Sequence, residues 1–379
     1  MTSQPKLRLV IAGGGTGGHV LPAVAVIEEL RNQDIDSDIL WIGSHGGVER
    51  SIAEGQDILF MAIQTGKLRR YASIETVTDA FRIPIGIAQA WRHVRAFKPD
   101  VIYSTGGSVS VPTALSGSRS APVLTHEQTA QIGLSNRTLA KVASTFAVGF
   151  EDTARQARQI HGHVVLTGNP VRSSLSTGNQ ESGYAAFGFS RELPVIYVTG
   201  GARGASPLNQ RIEELLPDLL EVAQIVHQVG PASANADLER LTSLKGNFPA
   251  HLARRYAVRD FITTELADLY AITDLVIGRA GAGTISELAY LGLPSILIPL
   301  PGTWGDEQRK NARVLESVGG AVYLEQSVAT PERLLAEIRD LILWPDRLRE
   351  MAAASTSIAR PDASARLVDE LLALARADR

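Results

Sequence analysis

The residues that could do chemistry first appear near the N-terminus, in a loop with five glycines that ends at a histidine. An apolar segment, residues 7–12, leads into the loop, and His19 closes it. Apolar residues then recur at spacings of three and four, which predicts a helix. A strand, a glycine loop and a helix in this order direct backbone N–H groups and a helix N-terminus towards an anion. The stretch is therefore a candidate phosphate cradle.

Two stretches of the second half, residues 195–206 and 274–287, repeat the same order of strand, glycine loop and helix. Three such loops in two α/β halves are stronger evidence than one. The first loop also satisfies Gly-x-Gly-x-x-Gly, a pattern typical of dinucleotide-binding proteins. That interpretation expects an acidic residue at the end of the second strand, where Gly43 and Ser44 stand instead. Bound NAD is therefore not expected.

The elements that must position these loops are short apolar runs alternating with amphipathic stretches, a pattern typical of a parallel sheet covered by helices. Apolar runs of the first half end in polar or glycine-rich tips at Gly43, at residues 104–107 and at residues 125–128. In open parallel sheets the ligand lies at the carboxyl ends of the strands. A polar segment rich in glycine and serine, residues 173–191, separates the two series and is predicted to be a linker.

Composition limits the class of protein. The chain has 379 residues, of which 44 % are apolar and 20 % charged, enough for two domains of ordinary size. A net charge of -3 gives no global basic field that would indicate a nucleic-acid partner. The absence of cysteine excludes disulfides and fits a reducing compartment. With neither a signal-peptide pattern nor an apolar run of roughly 18 residues, a cytoplasmic protein is expected.

Six segments, in order over nearly the whole chain, resemble the MurG family of cell-wall N-acetylglucosaminyltransferases. They are GGGTGGHVLPAVAVIEEL from Gly13, GKLRRY from Gly66, GGSVSVP from Gly106, HEQ from His126, GNPVR from Gly168 and GRAGAGTISE from Gly278. The resemblance implies an α/β protein of the GT-B class, with two Rossmann-like parallel-sheet domains facing a cleft. It implies inverting transfer of N-acetylglucosamine from UDP-N-acetylglucosamine to the C4 hydroxyl of the muramyl sugar of lipid I, giving lipid II, without a cofactor or a catalytic metal.

For the donor, the resemblance implies that the amides of residues 281–284 receive the α-phosphate. Amides at a helix N-terminus can stabilise the growing charge of a leaving diphosphate without a cation. Arg172 is implied to reach the same diphosphate, and Glu287 to bind both ribose hydroxyls, a task that suits a carboxylate. Thr284 and Glu287 also have the spacing of a capping box, in which each side chain bonds the other's backbone amide, so a local structural role stays open.

The remaining donor contacts are implied for the base and the sugar. Phe261 and Ile262 resemble the segment that packs on uracil and reads its edge through backbone groups, although an apolar pair after a strand is ordinarily part of the core. Gln308 and Asn311, which share a helix face, are implied to meet the donor sugar. The full set of implied donor-binding residues is Thr16, Gly17, Gly18, Arg172, Ala202, Ile262, Ala282, Gly283, Thr284, Glu287, Gln308 and Asn311.

An inverting transfer needs a base that takes the proton of the acceptor hydroxyl, and His19 and Glu127 are the two candidates. A histidine near its unperturbed pKa suits this task at neutral pH, whereas the pKa of a glutamate would have to be raised. We expect His19 to be the base and Glu127 to bind or polarise, although each could simply bond nearby backbone. The implied acceptor-binding residues are Gly14, Gly15, Gly106, Gly107, Ser108, His126, Gln128 and Asn136.

A lipid-linked acceptor requires a membrane surface, and residues 67–98 have the composition for one. They contain seven basic and two acidic residues, interleaved with apolar ones that include Ile85 and Trp91. Basic residues beside exposed apolar ones are typical of binding to an anionic interface, although a core helix with a solvated basic face is the alternative. The prediction is a peripheral protein on the cytoplasmic face of the bacterial cell membrane.

The predicted domains are residues 1–170 for the acceptor and membrane, a linker at 171–192, residues 193–360 for the UDP-sugar, and a helix at 361–379 that packs back on the first domain. Two positions depart from the family pattern. Ala202, followed by Arg203, stands where many relatives have serine, and Ser108 stands where an aromatic residue is frequent. Another UDP-sugar transferase, a UDP-sugar epimerase of the same architecture and a non-catalytic nucleotide-binding protein therefore stay open as alternatives.

Overall fold

The apolar runs of the sequence form the strands of two parallel sheets. The structure is a computed structural model that describes residues 6–15, 17–66 and 74–377, with residues 74–81 described by their backbone alone. It divides into two units, Met1–Arg172 with Arg360–Arg379, and Ser173–Ala359. Each unit contains one sheet, and the strand pairs within each are parallel. The prediction of two Rossmann-like parallel sheets is confirmed.

The first unit is built on β1 (Leu7–Gly13), β2 (Ser37–Ser44), β3 (Leu59–Ile63), β4 (Val101–Gly106), β5 (Val123–Glu127), β6 (Thr145–Val148) and β7 (Val164–Leu166). Between them lie α1 (Gly17–Asn32), α2 (Glu49–Glu54), α3 (Ile74–Phe97), α4 (Ser110–Gly117), α5 (Leu134–Leu139) and α6 (Glu151–Ala157). The strand order is β3-β2-β1-β4-β5-β6-β7. The glycine loop after β1 therefore leaves the sheet between the ends of β2 and β4.

The second unit begins with a short 3₁₀ turn, Ser173–Thr177, and α7 (Gln180–Phe187). Its strands are β8 (Val195–Thr199), β9 (Gln224–Gln228), β10 (Tyr256–Arg259), β11 (Leu275–Gly278), β12 (Ser295–Leu297) and β13 (Ala321–Tyr323), in the order β10-β9-β8-β11-β12-β13. Its other helices are α8 (Ser206–Leu219), α9 (Asp237–Gly246), α10 (Ala250–Ala253), α11 (Leu266–Ile272), α12 (Ala282–Leu291), α13 (Glu307–Ser317), α14 (Pro331–Ile342) and α15 (Pro345–Ser357).

Both faces of each sheet are buried, which explains why the strands are continuous apolar runs. In β1, Leu9 and Ile11 pack into one core cluster and Val10 into the cluster on the opposite face. The last helix, α16 (Ala363–Ala377), belongs to the first unit. Its Leu367 and Leu371 are fully buried in the same cluster as Leu9 and Ile11.

The segment that its composition predicts to be a linker belongs instead to the second unit. Gly178 and Gly183 lie so close to the backbone of α11 that a Cβ at either would collide with a carbonyl oxygen of Ala267 or Asp268. The backbone N–H of Asn179 donates to Asp268 Oδ1 at 2.7 Å. The small residues that suggest flexibility are therefore small because two segments pack closely.

Within the part of the chain that the structure describes, no helix is long and apolar enough to cross a bilayer.

Candidate functional site

His19 is the third residue of α1 and lies beside the end of β4. Its Nδ1 is 3.0 Å from the carbonyl oxygen of Thr105, and the Thr105 hydroxyl donates to the carbonyl oxygen of His19 at 2.6 Å. Since a carbonyl can only accept, Nδ1 carries the hydrogen of the neutral ring and Nε2 keeps its lone pair. No described residue bonds Nε2. The ring is thus held through one nitrogen, and the other can accept a proton.

The acceptor-side glycines surround this histidine. Gly106 and Gly107 have φ of 94° and 86°, a region that favours glycine. A Cβ at Gly106 would be 3.2 Å from His19 Nδ1, and one at Gly107 would be 2.7 Å from the carbonyl oxygen of Gly14. Gly15 also has a positive φ, of 88°, but faces open space. These glycines therefore let two loops and the histidine ring approach one another.

Glu127 ends β5 with its side chain buried. Its Oε1 accepts from the backbone N–H and the hydroxyl of Thr129, at 3.1 and 2.8 Å. Its Oε2 accepts from the backbone N–H of Gly133 and from Asn136 Nδ2, at 2.8 and 2.9 Å. Three N–H donors thus bond the carboxylate, and the single hydrogen of the Thr129 hydroxyl is shared between Glu127 Oε1 and the carbonyl oxygen of Gln131. The structural alternative, an acceptor for loop amides, describes what this side chain does.

Three implied acceptor-binding residues, His126, Gln128 and Asn136, are buried and form hydrogen bonds within the protein. His126 bonds the carbonyl oxygen of Gly168 through Nε2 at 3.0 Å, and burial lowers its pKa to about 4. Gln128 Nε2 donates to the carbonyl oxygen of His126 at 2.9 Å, and Asn136 Nδ2 to the same oxygen at 3.1 Å. They tie the end of β5 to its neighbouring loops, and their contact with an acceptor stays a prediction. The half-buried Ser108 stays a candidate contact.

The donor-side loops leave neighbouring strands of the second sheet. Thr199 of β8 pairs with Gly278 of β11, and the backbone N–H of Arg279 donates to the carbonyl oxygen of Thr199 at 3.3 Å. The loop after β8 carries Ala202 and Arg203, whose side chains are exposed, and the described residues include no partner for Arg203. The loop after β11 leads into α12. Two glycine loops therefore meet at one edge of the sheet.

Helix α12 presents an uncapped N-terminus at this edge. The helix begins at Ala282 after Gly281, and no side chain caps it. Thr284 is therefore already inside the first turn, so it is not the N-cap that the capping-box alternative for Thr284 and Glu287 requires. Glu287 Oε2 instead accepts from the Tyr270 hydroxyl at 3.0 Å. The first amides of α12, including those of Ala282, Gly283 and Thr284, are directed outwards as an anion site requires.

Two implied donor contacts, Ile262 and Asn311, form hydrogen bonds within the protein, and their contact with the donor stays a prediction. The backbone N–H of Ile262 donates to Gln228 Oε1 at 2.9 Å and its side chain is buried, whereas Phe261 beside it is 46 % exposed. Asn311 is also buried, and its Nδ2 donates to the carbonyl oxygen of Ala280 at 3.0 Å. Asn311 thus anchors α13 to the loop before α12.

Gln308 lies one turn before Asn311. Its Oε1 accepts from the backbone N–H of Leu300 at 2.9 Å, so its Nε2 is the group left to meet a sugar hydroxyl.

Arg279 is a buried cation beside the same loop that sequence reasoning passed over. Its Nη1 donates to the carbonyl oxygens of Ile298 and Pro299 at 2.9 and 3.1 Å, and its Nη2 to Gln326 Oε1 at 2.7 Å. Burial lowers its pKa to about 10, so the guanidinium stays charged at neutral pH. Its position directly before the α12 loop within the GRAGAG motif was the available signal.

The other predicted residues are distributed as follows. Gly17 and Gly18 open α1, the first half-buried and the second exposed, and Arg172 is the half-buried last residue of the first unit's main segment. Thr16 lies outside the described residues, as do Lys67, Arg69, Arg70 and Tyr71 of the basic segment. The described residues contain no group of three His, Asp or Glu side chains that could hold a metal ion.

The chain is similar to known glycosyltransferases over most of its length. Residues 9–148 match the glycosyltransferase family 28 N-terminal domain and residues 195–367 the glycosyltransferase family 28 C-terminal domain. A Bacillus cereus protein named UDP-N-acetylglucosamine--N-acetylmuramyl-(pentapeptide) pyrophosphoryl-undecaprenol N-acetylglucosamine transferase 2 is 39 % identical over 339 residues, covering 88 % of this chain and 91 % of its own.

Solved structures agree with this assignment. The Acinetobacter baumannii MurG crystal structure superposes with a TM-score of 0.72 at 29 % identity, over 97 % of this chain and 100 % of that one. The UDP-GlcNAc 2-epimerase of Neisseria meningitidis gives a TM-score of 0.67 at only 16 % identity, over 97 % and 100 %, and so shares the fold alone. With two parallel-sheet domains of the GT-B class and identity of this extent, the chain belongs to the MurG family within glycosyltransferase family 28.

Proposed function

We propose that the protein transfers N-acetylglucosamine from UDP-N-acetylglucosamine to the C4 hydroxyl of the muramyl sugar of lipid I, giving lipid II for peptidoglycan synthesis. The observation that carries this proposal is 39 % identity over 88 % of the chain to a transferase whose name states the donor and the acceptor. The epimerase alternative has only a shared fold at 16 % identity in its favour.

The donor would bind at the edge where the loops after β8 and β11 meet. The uncapped amides of α12 face the diphosphate. Arg279 is buried, and its guanidinium bonds only neutral groups among the described residues, so it adds a fixed positive charge beside these amides. Such groups stabilise the charge that develops on the leaving UDP without reorganising during the reaction. Glu287, whose Oε2 also accepts from the Tyr270 hydroxyl, accepts from the ribose hydroxyls, and Gln308 donates through Nε2 to the sugar.

The reaction itself needs one proton transfer. The acceptor C4 oxygen attacks C1 of N-acetylglucosamine from the face opposite the phosphate, the bond between C1 and the phosphate oxygen breaks, and UDP departs, so the anomeric configuration inverts. His19 Nε2 takes the proton of the attacking hydroxyl. The hydrogen bond from Nδ1 to Thr105 supports this role because it fixes the tautomer and the ring orientation. Glu127 already accepts from the backbone N–H groups of Thr129 and Gly133 and from Asn136 Nδ2, which favours a role in holding the loop from Thr129 to Asn136.

The acceptor is lipid-linked, so the protein would work as a peripheral protein on the cytoplasmic face of the membrane. Helix α3 supports this, because Ile85 and Trp91 are 50 % and 48 % exposed beside exposed Arg92 and Arg95. The Arg95 guanidinium lies over the Trp91 ring, 5.3 Å from its centroid. Exposed apolar side chains can enter the headgroup region while arginines contact anionic lipid.

The decisive experiment incubates the purified protein with labelled UDP-N-acetylglucosamine and a short-chain lipid I analogue, and separates the products by chromatography. The expected product is the lipid-linked disaccharide, formed only when both substrates are present. Conversion of the donor without lipid would indicate an epimerase, and UDP binding without turnover a non-catalytic protein. Either result would overturn the proposal. Glu287→Ala is the matched variant for the donor site, since it should raise the KM for UDP-N-acetylglucosamine.

A further inference from the structure

Glu49 is a fully buried carboxylate to which the proposed reaction assigns no role. It is the first residue of α2, and its exposed fraction is 0 %. No described lysine, arginine or histidine forms an ion pair with it. Burying an anion without a cation is costly unless hydrogen bonds stabilise it. The hydrogen-bond partners of Glu49 therefore indicate its structural role.

Two segments hold the carboxylate. Its Oε2 accepts from the backbone N–H of Gly15 at 3.0 Å, in the first glycine loop. Its Oε1 accepts from the backbone N–H and the hydroxyl of Ser44, at 2.8 and 2.7 Å, at the end of β2. Glu49 thus links the glycine loop after β1 to the end of the neighbouring strand.

Three glycines make room for this side chain. A Cβ at Gly14 or Gly47 would collide with the carboxylate, and one at Gly43 would be 2.6 Å from Glu49 Cγ. Gly14 and Gly43 are thus needed to leave space for the Glu49 side chain. In a dinucleotide-binding protein an acid at the end of β2 would bind ribose. Here Glu49 accepts hydrogen bonds at that place from Ser44 and from Gly15 of the first glycine loop.

The loop that Glu49 holds is in contact with the site of His19. The carbonyl oxygen of Gly14 lies against Gly107, where an added Cβ would be 2.7 Å away, and the same Cβ would be 3.3 Å from His19 Cδ2. On the other side, Trp41 Nε1 donates to the carbonyl oxygen of Gly13 at 2.9 Å. The backbone of Gly13 and Gly14 therefore lies between the anchors on β2 and the glycine against which the histidine ring packs.

We propose that Glu49 is a positioning residue for the transfer reaction: it fixes the backbone of Gly14 and Gly15 against Gly107 and thereby fixes the place of the His19 ring. The inference rests on the proposed function, because it gives His19 the role of base. The donor contacts proposed for Arg279, Glu287 and Gln308 lie in the second unit and do not involve Glu49. The affinity for UDP-N-acetylglucosamine should therefore change little, even though Thr16, Gly17 and Gly18 of the first glycine loop are implied donor contacts.

The test uses the full-length Glu49→Gln variant, which keeps the volume but replaces one acceptor oxygen by an NH₂ group that faces an N–H or O–H donor. The expected result is a kcat lower by about 10- to 100-fold, since small displacements of a catalytic group have effects of this size, with the KM for UDP-N-acetylglucosamine within about 2-fold of wild type. Glu54→Gln, an exposed position on the same helix, is the matched control and should leave both constants unchanged. An equal kcat in the two variants, or a rise in KM that matches the loss in kcat, would overturn the proposal.

A second measurement needs no transfer activity. Amide hydrogen exchange read by mass spectrometry should be faster in Glu49→Gln for peptides covering residues 10–20 and 103–110, and unchanged for residues 279–290. If wild type forms no product, the proposed function fails, while the exchange data still decide whether Glu49 holds the loop. If wild type is active and exchange is unchanged, only the Glu49 proposal fails.

Ser44→Ala covers the case in which Glu49→Gln does not fold. It keeps the carboxylate and removes only the Ser44 hydroxyl, and should lower kcat by about 2- to 5-fold with the donor KM retained, as expected for the loss of one hydrogen bond. No change in kcat in this folded variant would contradict the proposal.

Discussion

Replacing Glu127 by glutamine separates a structural carboxylate from a catalytic one. Each carboxylate oxygen accepts two hydrogen bonds, from Thr129 on one side and from Gly133 and Asn136 on the other. Glutamine has a single acceptor oxygen and an NH₂ group. Whichever way it turns, two donors lose their acceptor and face two hydrogens.

The cost of this change follows from the two orientations. If the NH₂ group faces Gly133 and Asn136, both donors lose their acceptor at Glu127 in a buried place. If it faces Thr129, the hydroxyl keeps the carbonyl oxygen of Gln131, 2.5 Å away, and the backbone N–H of Thr129 is the main loss. An orphaned buried donor costs about 1–3 kcal/mol, so we expect Glu127→Gln to lower the free energy of unfolding by about 2–4 kcal/mol.

The assay combines urea unfolding, followed by circular dichroism, with steady-state transfer kinetics. His19→Gln is the companion variant: it should lower kcat by about 10²- to 10⁴-fold, the usual contribution of a general base, with the affinity for UDP retained and a smaller loss of stability, since its ring makes one hydrogen bond. The reasoning is refuted if Glu127→Gln unfolds like wild type and is inactive while His19→Gln remains active. The base would then be Glu127.

Three further predictions follow from the same structure. His126 is buried in its neutral form, with a pKa of about 4 against 6.5 in the unfolded chain. Because the unfolded chain takes up the proton first as the pH falls, the contribution of His126 to the free energy of unfolding is full above pH 6.5 and falls by about 3 kcal/mol as the pH drops to 4. A free energy of unfolding that stays constant over that range would contradict this burial. Arg203→Ala should raise the KM for UDP-N-acetylglucosamine by about 3- to 10-fold through loss of a charge near the diphosphate, and Ala202→Ser in that background should restore part of it; an unchanged KM would mean that Arg203 only faces solvent. Replacing Ile85 and Trp91 together by serine should reduce co-sedimentation with vesicles of anionic lipid by about 10-fold or more, with the Glu54→Gln protein as control, and undiminished binding would exclude this face of α3 as the membrane contact.

The fold was predictable because both sheets are buried on both faces. Their strands are uninterrupted apolar runs such as residues 7–12 and 195–198, and the glycine loops mark where the chain leaves each sheet. The linker prediction failed for a physical reason. Glycine and serine between residues 173 and 191 suggest flexibility, but the same small side chains are required where Gly178 and Gly183 pack on the backbone of α11.

The site was predictable in its loops and less so in its side chains. Motif residues such as His126 and Asn311 are polar, so their types suggest ligand contacts, yet only the tertiary structure shows that their hydrogen bonds go to Gly168 and Ala280. Glu49 was missed because the expected position for an acid was the end of β2 itself. The acid lies instead at the start of α2, five residues after Ser44. Glu49 and Ala53, four residues apart on that helix, are its buried residues.

The return of α16 to the first unit has a consequence for how the protein is made. The chain leaves the first unit after Arg172 and re-enters it at Arg360, so the second unit is an insertion in the first. During synthesis, which proceeds from the N-terminus, the ribosome must deliver the whole donor unit before Leu367 and Leu371 can complete the hydrophobic core behind β1. The unit that carries His19 is therefore begun first and completed last, and until α16 is made the apolar residues that it covers stay exposed on the nascent chain.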